Sequence, residues 1–415
     1  MDEQSRMPAA GGGRHYGMDW LRIGAFLVLI FYHIGMIFVP WSFHVKSQPV
    51  LDWVAIPMLL PNAWRLSLLF VVSGYASAAI LAKEGGGGSA AARRFAWWRT
   101  VRLLVPVIFG MAVVVPPQPW VELVVKHGYA RDYLTFWTQD YFRFGSLEGI
   151  VLPTWQHLWF VVYLWVYTLV LAILLAVVPA SMRRRIAELT DRILSGLGII
   201  FLPLALLAIN LALTGWGRQD THDLINDGAA HRVYFGMLLF GFYLRGADRG
   251  WGAIARWWKT AAALAIAGYV VVAGLEITYP GSTPAPEIVH PIFALARVVQ
   301  EWGAIIALIG IATRFWNRDH RWRQSLNEGV FPFYIIHQTI IVVVFYWCLS
   351  AGLGNAASFA ILVAATIGGC WLFYRAGRLV PGLRLLIGLR GWRIPARDRR
   401  AEVRQTAGDG RPGTA

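Results

Sequence analysis

The stretch Trp20-Leu-Arg22-Ile-Gly-Ala-Phe-Leu-Val-Leu-Ile-Phe-Tyr-His33 decides how this chain is read. It lies within an apolar run from Trp20 to Trp41, long enough for a helix to cross the hydrocarbon core of a bilayer. A guanidinium or an imidazole at such depth is costly unless it faces protein or a wet cavity. Arg22 and His33 are eleven residues apart. At about 100° per residue that is three turns plus roughly 20°, with about 16 Å of rise, so both project from one helix face. The helix therefore carries a cation near one membrane face and a proton acceptor near mid-depth.

The rest of the chain fits this reading. Of its 415 residues, 57% are hydrophobic and 15% charged, where an average soluble protein carries about 25% charge. Ten apolar stretches are long enough to span, near 18–40, 62–82, 101–117, 155–178, 196–214, 232–247, 258–276, 291–313, 330–350 and 355–376. The expected fold is all-α and polytopic, with about ten transmembrane helices. The net charge of +15 is not a nucleic-acid footprint, because it is one-sided. The segments 1–17, 83–102, 183–192, 245–259, 314–323 and 375–415 hold 29 of the 38 Lys and Arg. Under the positive-inside rule both termini are then cytoplasmic and the number of spans is even. The first span is too long for a cleavable signal and lacks a small-residue cleavage site.

Residues 1–17 read as a disordered cytoplasmic lead, 18–380 as the membrane domain, and 381–415 as a basic, largely disordered tail that opens with a short interfacial helix. The glycines from Gly85 to Gly88 read as a flexible inner link. The outer loop 117–153 mixes aromatic and acidic residues like a binding or interfacial surface. Cys348 and Cys370 form neither a disulfide framework nor a metal motif. Asp220, His222, Asp223, Asp227 and His231 read as a solvated polar loop, and no metal is expected.

Arg22, Arg94, Arg99 and Arg102 gather at cytoplasmic helix ends, and Arg99 and Arg102 share a face. Planar guanidinium forks suit phosphate, so these residues are candidates to hold a phosphate-bearing donor; the alternative is membrane anchoring. His33 is the candidate base. A buried imidazole bonded to a backbone carbonyl is the other reading, and it applies equally to His337. His157 and Trp159 open the fourth span in an aromatic belt. Ser73 and Tyr75 flank Gly74, which reads as a close-packing point. Arg297 and Glu301, four apart, read as a neutralising pair or as support for a histidine.

These residues carry a family likeness. Asp19-Trp-Leu-Arg22 followed by His33 resembles the first-helix signature of the membrane acyltransferase-3 family. Leu69-Phe-Val-Val-Ser-Gly-Tyr75 resembles its second-helix motif, and Arg99-x-x-Arg102 before Leu-Leu-Val-Pro106 its third. His157-Leu-Trp-Phe160 and Phe333-Tyr-Ile-Ile-His337 match later patterns. Phe43-His-Val-Lys46-Ser and Trp64-Arg65 resemble the glucan-modifying branch. Gln338-Thr339 departs from the proline that relatives often place after this histidine. The likeness spans roughly residues 17–380.

The resemblance implies an enzyme of the cytoplasmic membrane that moves an acyl group, acetyl or succinyl, from cytosolic acyl-coenzyme A to hydroxyls of an envelope saccharide. Acyl-coenzyme A would be a co-substrate, with no tightly bound cofactor. Arg22, Arg99 and Arg102 would hold the donor phosphates, and His33 would act as base or briefly carry the acyl group. A succinyl donor would call for a further cation, for which Arg65 and Arg297 are the candidates. The competing function is export of an anionic glycan or lipid through the arginine port. No inverted repeat supports it.

Overall fold

Long runs of Leu, Val, Ile, Phe and Ala must satisfy their backbone polar groups internally once water is excluded, and a helix is the local way to do so. The computed structural model describes residues 15–84, 88–216, 221–281 and 283–389, and there the chain is almost entirely helical. The helices are α1 (Tyr16–Gly35), α2 (Ala55–Asn62), α3 (Arg65–Lys83), α4 (Ser89–Phe109), α5 (Pro117–His127), α6 (Tyr133–Thr135), α7 (Trp159–Val177), α8 (Ala180–Ile193), α9 (Gly198–Thr214), α10 (Gly228–Leu244), α11 (Asp248–Thr278), α12 (Val289–Phe315), α13 (Arg323–Ser350), α14 (Asn355–Leu379) and α15 (Pro381–Leu386).

Every apolar stretch picked from the sequence lies on a helix. Among the described residues, eight helical stretches are long and apolar enough to cross a membrane, or nine if α8 and α9 count as one span bent by 103°. The expected ten differs because α9 and α10 have only 17 residues each, about 26 Å of helix against a hydrocarbon core of about 30 Å. The third span begins earlier than the apolar run predicts. Ala-rich Ser89–Ala96 extends α4 into polar sequence, because alanine and arginine are strong helix formers.

Helix α1 lies against α2, α3, α12, α13 and α14. Around it α3 pairs with α10, α4 with α7, α11 with α12 and α13 with α14. The α3–α10 crossing depends on glycine. A Cβ on Gly74 would fall 1.9 Å from the Leu238 carbonyl oxygen, and one on Gly241 equally close to that of Val71. The close packing read at Gly74 is thus backbone against backbone.

The segment 117–153 is more ordered than a loop. Helix α5, α6, a π-helical turn and the antiparallel hairpin β1 (Gly145–Leu147) and β2 (Ile150–Leu152) enclose a small core of Leu123, Phe136, Tyr141 and Leu152. That hairpin is the departure from an all-α chain. The N-terminal boundary also moves. His15 and Gly17 are buried, and Gly17 N donates to Asn317 Oδ1 at 3.2 Å. Most of the lead 1–17, the glycine link at 85–87 and the tail beyond 389 lie outside the described residues.

A histidine dyad and an arginine cluster on the first helix

On α1 the chemistry sits at two levels. At the first level, near the start of α1, Arg22 donates from Nη2 to the Asn327 carbonyl at 2.7 Å. Its charged neighbours on α4 include Arg99, which also feels Arg102. Arg99 reaches Thr168 Oγ1 at 3.4 Å, and its Nε is buried without a hydrogen-bond partner. Arg22 on α1 and Arg102 on α4 are thus both charged neighbours of Arg99. Arg94 is placed elsewhere: it is exposed and donates from Nε to Glu84 Oε2 at 3.0 Å. Asp19 receives Arg323 Nη1 at 2.7 Å and Asn327 Nδ2 at 3.3 Å. Its place is to tie α1 to α13 beside Arg22. Arg323 is buried and also bonds Asp319, yet in sequence it was one basic loop residue among several.

At the second level, near the end of α1, His33 Nδ1 lies 2.8 Å from His337 Nε2, with ring centroids 5.0 Å apart. The hydrogen bonds fix the tautomers. His337 Nδ1 is 2.7 Å from the Tyr334 carbonyl oxygen. A carbonyl only accepts, so Nδ1 carries the proton and neutral His337 Nε2 is an acceptor. His33 must then donate from Nδ1, which leaves the lone pair on its Nε2. Among the described residues nothing is bonded to that nitrogen, and the ring is half-buried. His337 is thus bonded both to a backbone carbonyl and to the His33 ring.

Next to the dyad is an ordered polar network that the sequence did not reveal. His157 Nε2 donates to the carbonyls of Tyr334 and Ile335, each at 3.1 Å, and its Nδ1 accepts from Gln118 Nε2 at 3.4 Å. Gln118 Nε2 also donates to Thr339 Oγ1 at 2.7 Å. Gln338 Nε2 donates to Gln118 Oε1 at 3.0 Å and to His44 Nε2 at 3.1 Å. His44 Nδ1 donates to Glu122 Oε2 at 2.7 Å, and Lys126 donates to Glu122 Oε1 at 2.6 Å. Burial would raise the Glu122 carboxyl, but His44 and Lys126 outweigh it and hold the pKa down at about 2. Gln338 and Thr339, the departure from the family pattern, are members of this network.

The other named residues fall around these two levels. The Arg65 guanidinium lies 3.6 Å over the Tyr32 ring and donates to the Asn62 carbonyl at 2.7 Å. Arg297 donates to Asn62 Oδ1 at 2.9 Å, and Glu301 accepts from Ser67. Trp159 stacks on His222 with centroids 4.2 Å apart. Tyr75 lies under Arg245 and edge-on to Trp251. Ser73 is half-buried on α3, and its carbonyl accepts from Ser77 Oγ at 2.8 Å. Asp223 and Asp227 accept from backbone N–H groups of their own loop. Between the two levels, Phe26 packs edge-on against Tyr334 and Phe160 with centroids 5.6 and 6.4 Å away.

A family profile described as an acyltransferase domain matches residues 15–375. Among curated proteins, "Glucans biosynthesis protein C" of Salmonella paratyphi B and of Salmonella heidelberg are each 25% identical over 168 residues. That alignment covers 40% of this chain and 40% of the length of each relative. No solved structure matches the chain.

Proposed function

This chain belongs to the acyltransferase-3 family, and from that premise we propose that it is an integral-membrane O-acyltransferase. The donor is cytosolic acyl-coenzyme A, and the acceptor is a saccharide hydroxyl on the far side of the membrane. The arrangement that fits this reading is ten spans with both termini cytoplasmic. The setting is the cytoplasmic membrane, with α9 and α10 as the shortest spans.

The observation that carries the proposal is the free Nε2 of His33. As the acceptor oxygen attacks the thioester carbonyl, Nε2 takes the hydroxyl proton and returns it to the departing thiolate, so the reaction yields ester and thiol with no net proton. If Nε2 instead attacks first, it expels the thiolate and forms an acyl-imidazole; the acceptor oxygen then takes the acyl group, the C–N bond breaks, and the hydroxyl proton ends on the thiolate. Both routes need the proton on Nδ1, where His337 receives it. Arg22, Arg99 and Arg102 meet the donor phosphates with convergent forks. The acyl group is acetyl or succinyl; a succinyl carboxylate has Arg65 beyond Tyr32 as its counter-ion.

Proteoliposomes given acetyl- or succinyl-coenzyme A labelled in the acyl group, with a glucan acceptor on the opposite side, test the function. The expected result is label in ester linkage on the glucan. Glucan that crosses unmodified, with the thioester intact, would replace the enzyme by an exporter.

A further inference from the structure

Helix α8 has a surface that acyl transfer does not use. It joins the ends of α7 and α9, two apolar helices, and turns by 103° into α9. A helix so placed runs roughly along the membrane surface. At 100° per residue, Met182, Ile186, Leu189 and Ile193 fall within an arc of about 60°. All four are between 37% and 56% exposed. On the opposite face Asp191 Oδ1 accepts from Gly250 N at 2.9 Å, which ties that face to the start of α11. The apolar stripe therefore points away from the protein.

Its charges are sorted around the stripe. Arg185 and Arg192 lie on one edge, about 70° and 90° from the stripe's centre and seven residues apart. Arg183 lies on the other edge and caps the α7 C-terminus by donating to the Leu175 carbonyl at 2.9 Å. Arg184 and Glu188 are turned away, 3.9 Å from each other. An apolar stripe with cations along its borders is the pattern of a helix seated at the headgroup boundary.

We propose that α8 is an interfacial helix that buries Met182, Ile186, Leu189 and Ile193 in the arginine-rich leaflet and gathers anionic lipid headgroups along the Arg185–Arg192 edge. It is then not half of a bent span. The occupant is a bilayer surface, because the stripe is continuous with two apolar helices, α7 and α9, and its border is cationic.

The test uses the full chain in nanodiscs of phosphatidylcholine with phosphatidylglycerol. An environment-sensitive fluorophore is placed at Ile186→Cys or, as the solvent-facing control, at Arg184→Cys. Unsubstituted protein, in which Cys348 and Cys370 are buried, sets the labelling background. The expected result is blue-shifted emission at position 186, quenched by spin labels high on the acyl chain, and water-like emission at 184. Spin-labelled phosphatidylglycerol should quench position 186 several-fold more than spin-labelled phosphatidylcholine. Arg185→Gln with Arg192→Gln should bring that ratio to one. Water-like emission at 186, or equal quenching by both lipids in the parent, overturns the proposal. So does shielding of 186 that appears only with two copies per disc, which would make the stripe a contact between chains.

Discussion

His337 does not touch the reacting atoms in this account; it holds a proton on the correct nitrogen of the residue that does. Glutamine can accept a hydrogen bond through Oε1, whereas leucine cannot. His337→Leu should therefore lower kcat by about 10²-fold or more, His337→Gln by clearly less, and both should leave the donor KM near its original value. Equal losses in the two variants would mean that His337 acts through packing alone. The arginines separate in the same way. Arg99→Ala should raise the KM for acyl-coenzyme A by about ten- to a hundredfold, the worth of a charge-assisted bond. Arg94→Ala should leave it unchanged, since Arg94 is spent on Glu84. At this scale the sequence was informative wherever periodicity applies. Arg22 and His33 share a face because eleven residues is nearly a whole number of turns. Partners 304 or 294 residues away, such as Arg323 for Asp19 and Gln338 for His44, have no local signature. His44 was visible only as part of a family likeness, and Gln118 was hidden among Pro116, Pro117 and Pro119.

At the scale of elements, helix existence was legible and helix boundaries were not. Hydropathy marks where lipid begins; it does not mark where the backbone stops being helical, as the Ala- and Arg-rich start of α4 and the polar first turn of α11 show. The segment 117–153 looked like a loop because its strands have three residues each and its core is four side chains. Glycine at the α3–α10 crossing was legible in kind, and the structure adds the partner backbone. Gly74→Ala puts a methyl group where the Leu238 carbonyl stands. It should destabilise the protein by at least about 2 kcal/mol, seen as a lower thermal midpoint in detergent. An unchanged midpoint would show that the helices part at little cost.

Across the whole molecule, the dyad and its polar network join five regions: α1, the α1–α2 connection, α5, the turn that leads into α7, and α13. Glu122 anchors one end of that network. Its pKa is depressed from the usual carboxylate range to about 2. Its stabilising contribution is therefore complete above the ordinary value near 4.5 and is lost as the pH falls through about 2. Glu122→Gln should lower the thermal midpoint at pH 6, and the gap from the parent protein should close between pH 4.5 and pH 2. A gap that stays constant over that range would place the effect in packing. Phe26, wedged between the arginine level and the imidazole level, adds a whole-molecule requirement. In the proposed reaction the donor's acyl arm would have to pass or displace a ring lodged against Tyr334 and Phe160.

The central claim is that acyl transfer runs through one imidazole nitrogen. Purified protein and His33→Ala, each given glucan and acyl-coenzyme A labelled in the acyl group, address it directly when loss of label from the thioester is followed over time. The expected result is glucan-dependent loss in the parent and a rate lower by about 10²- to 10⁴-fold in the variant. Equal rates in the two proteins would contradict it.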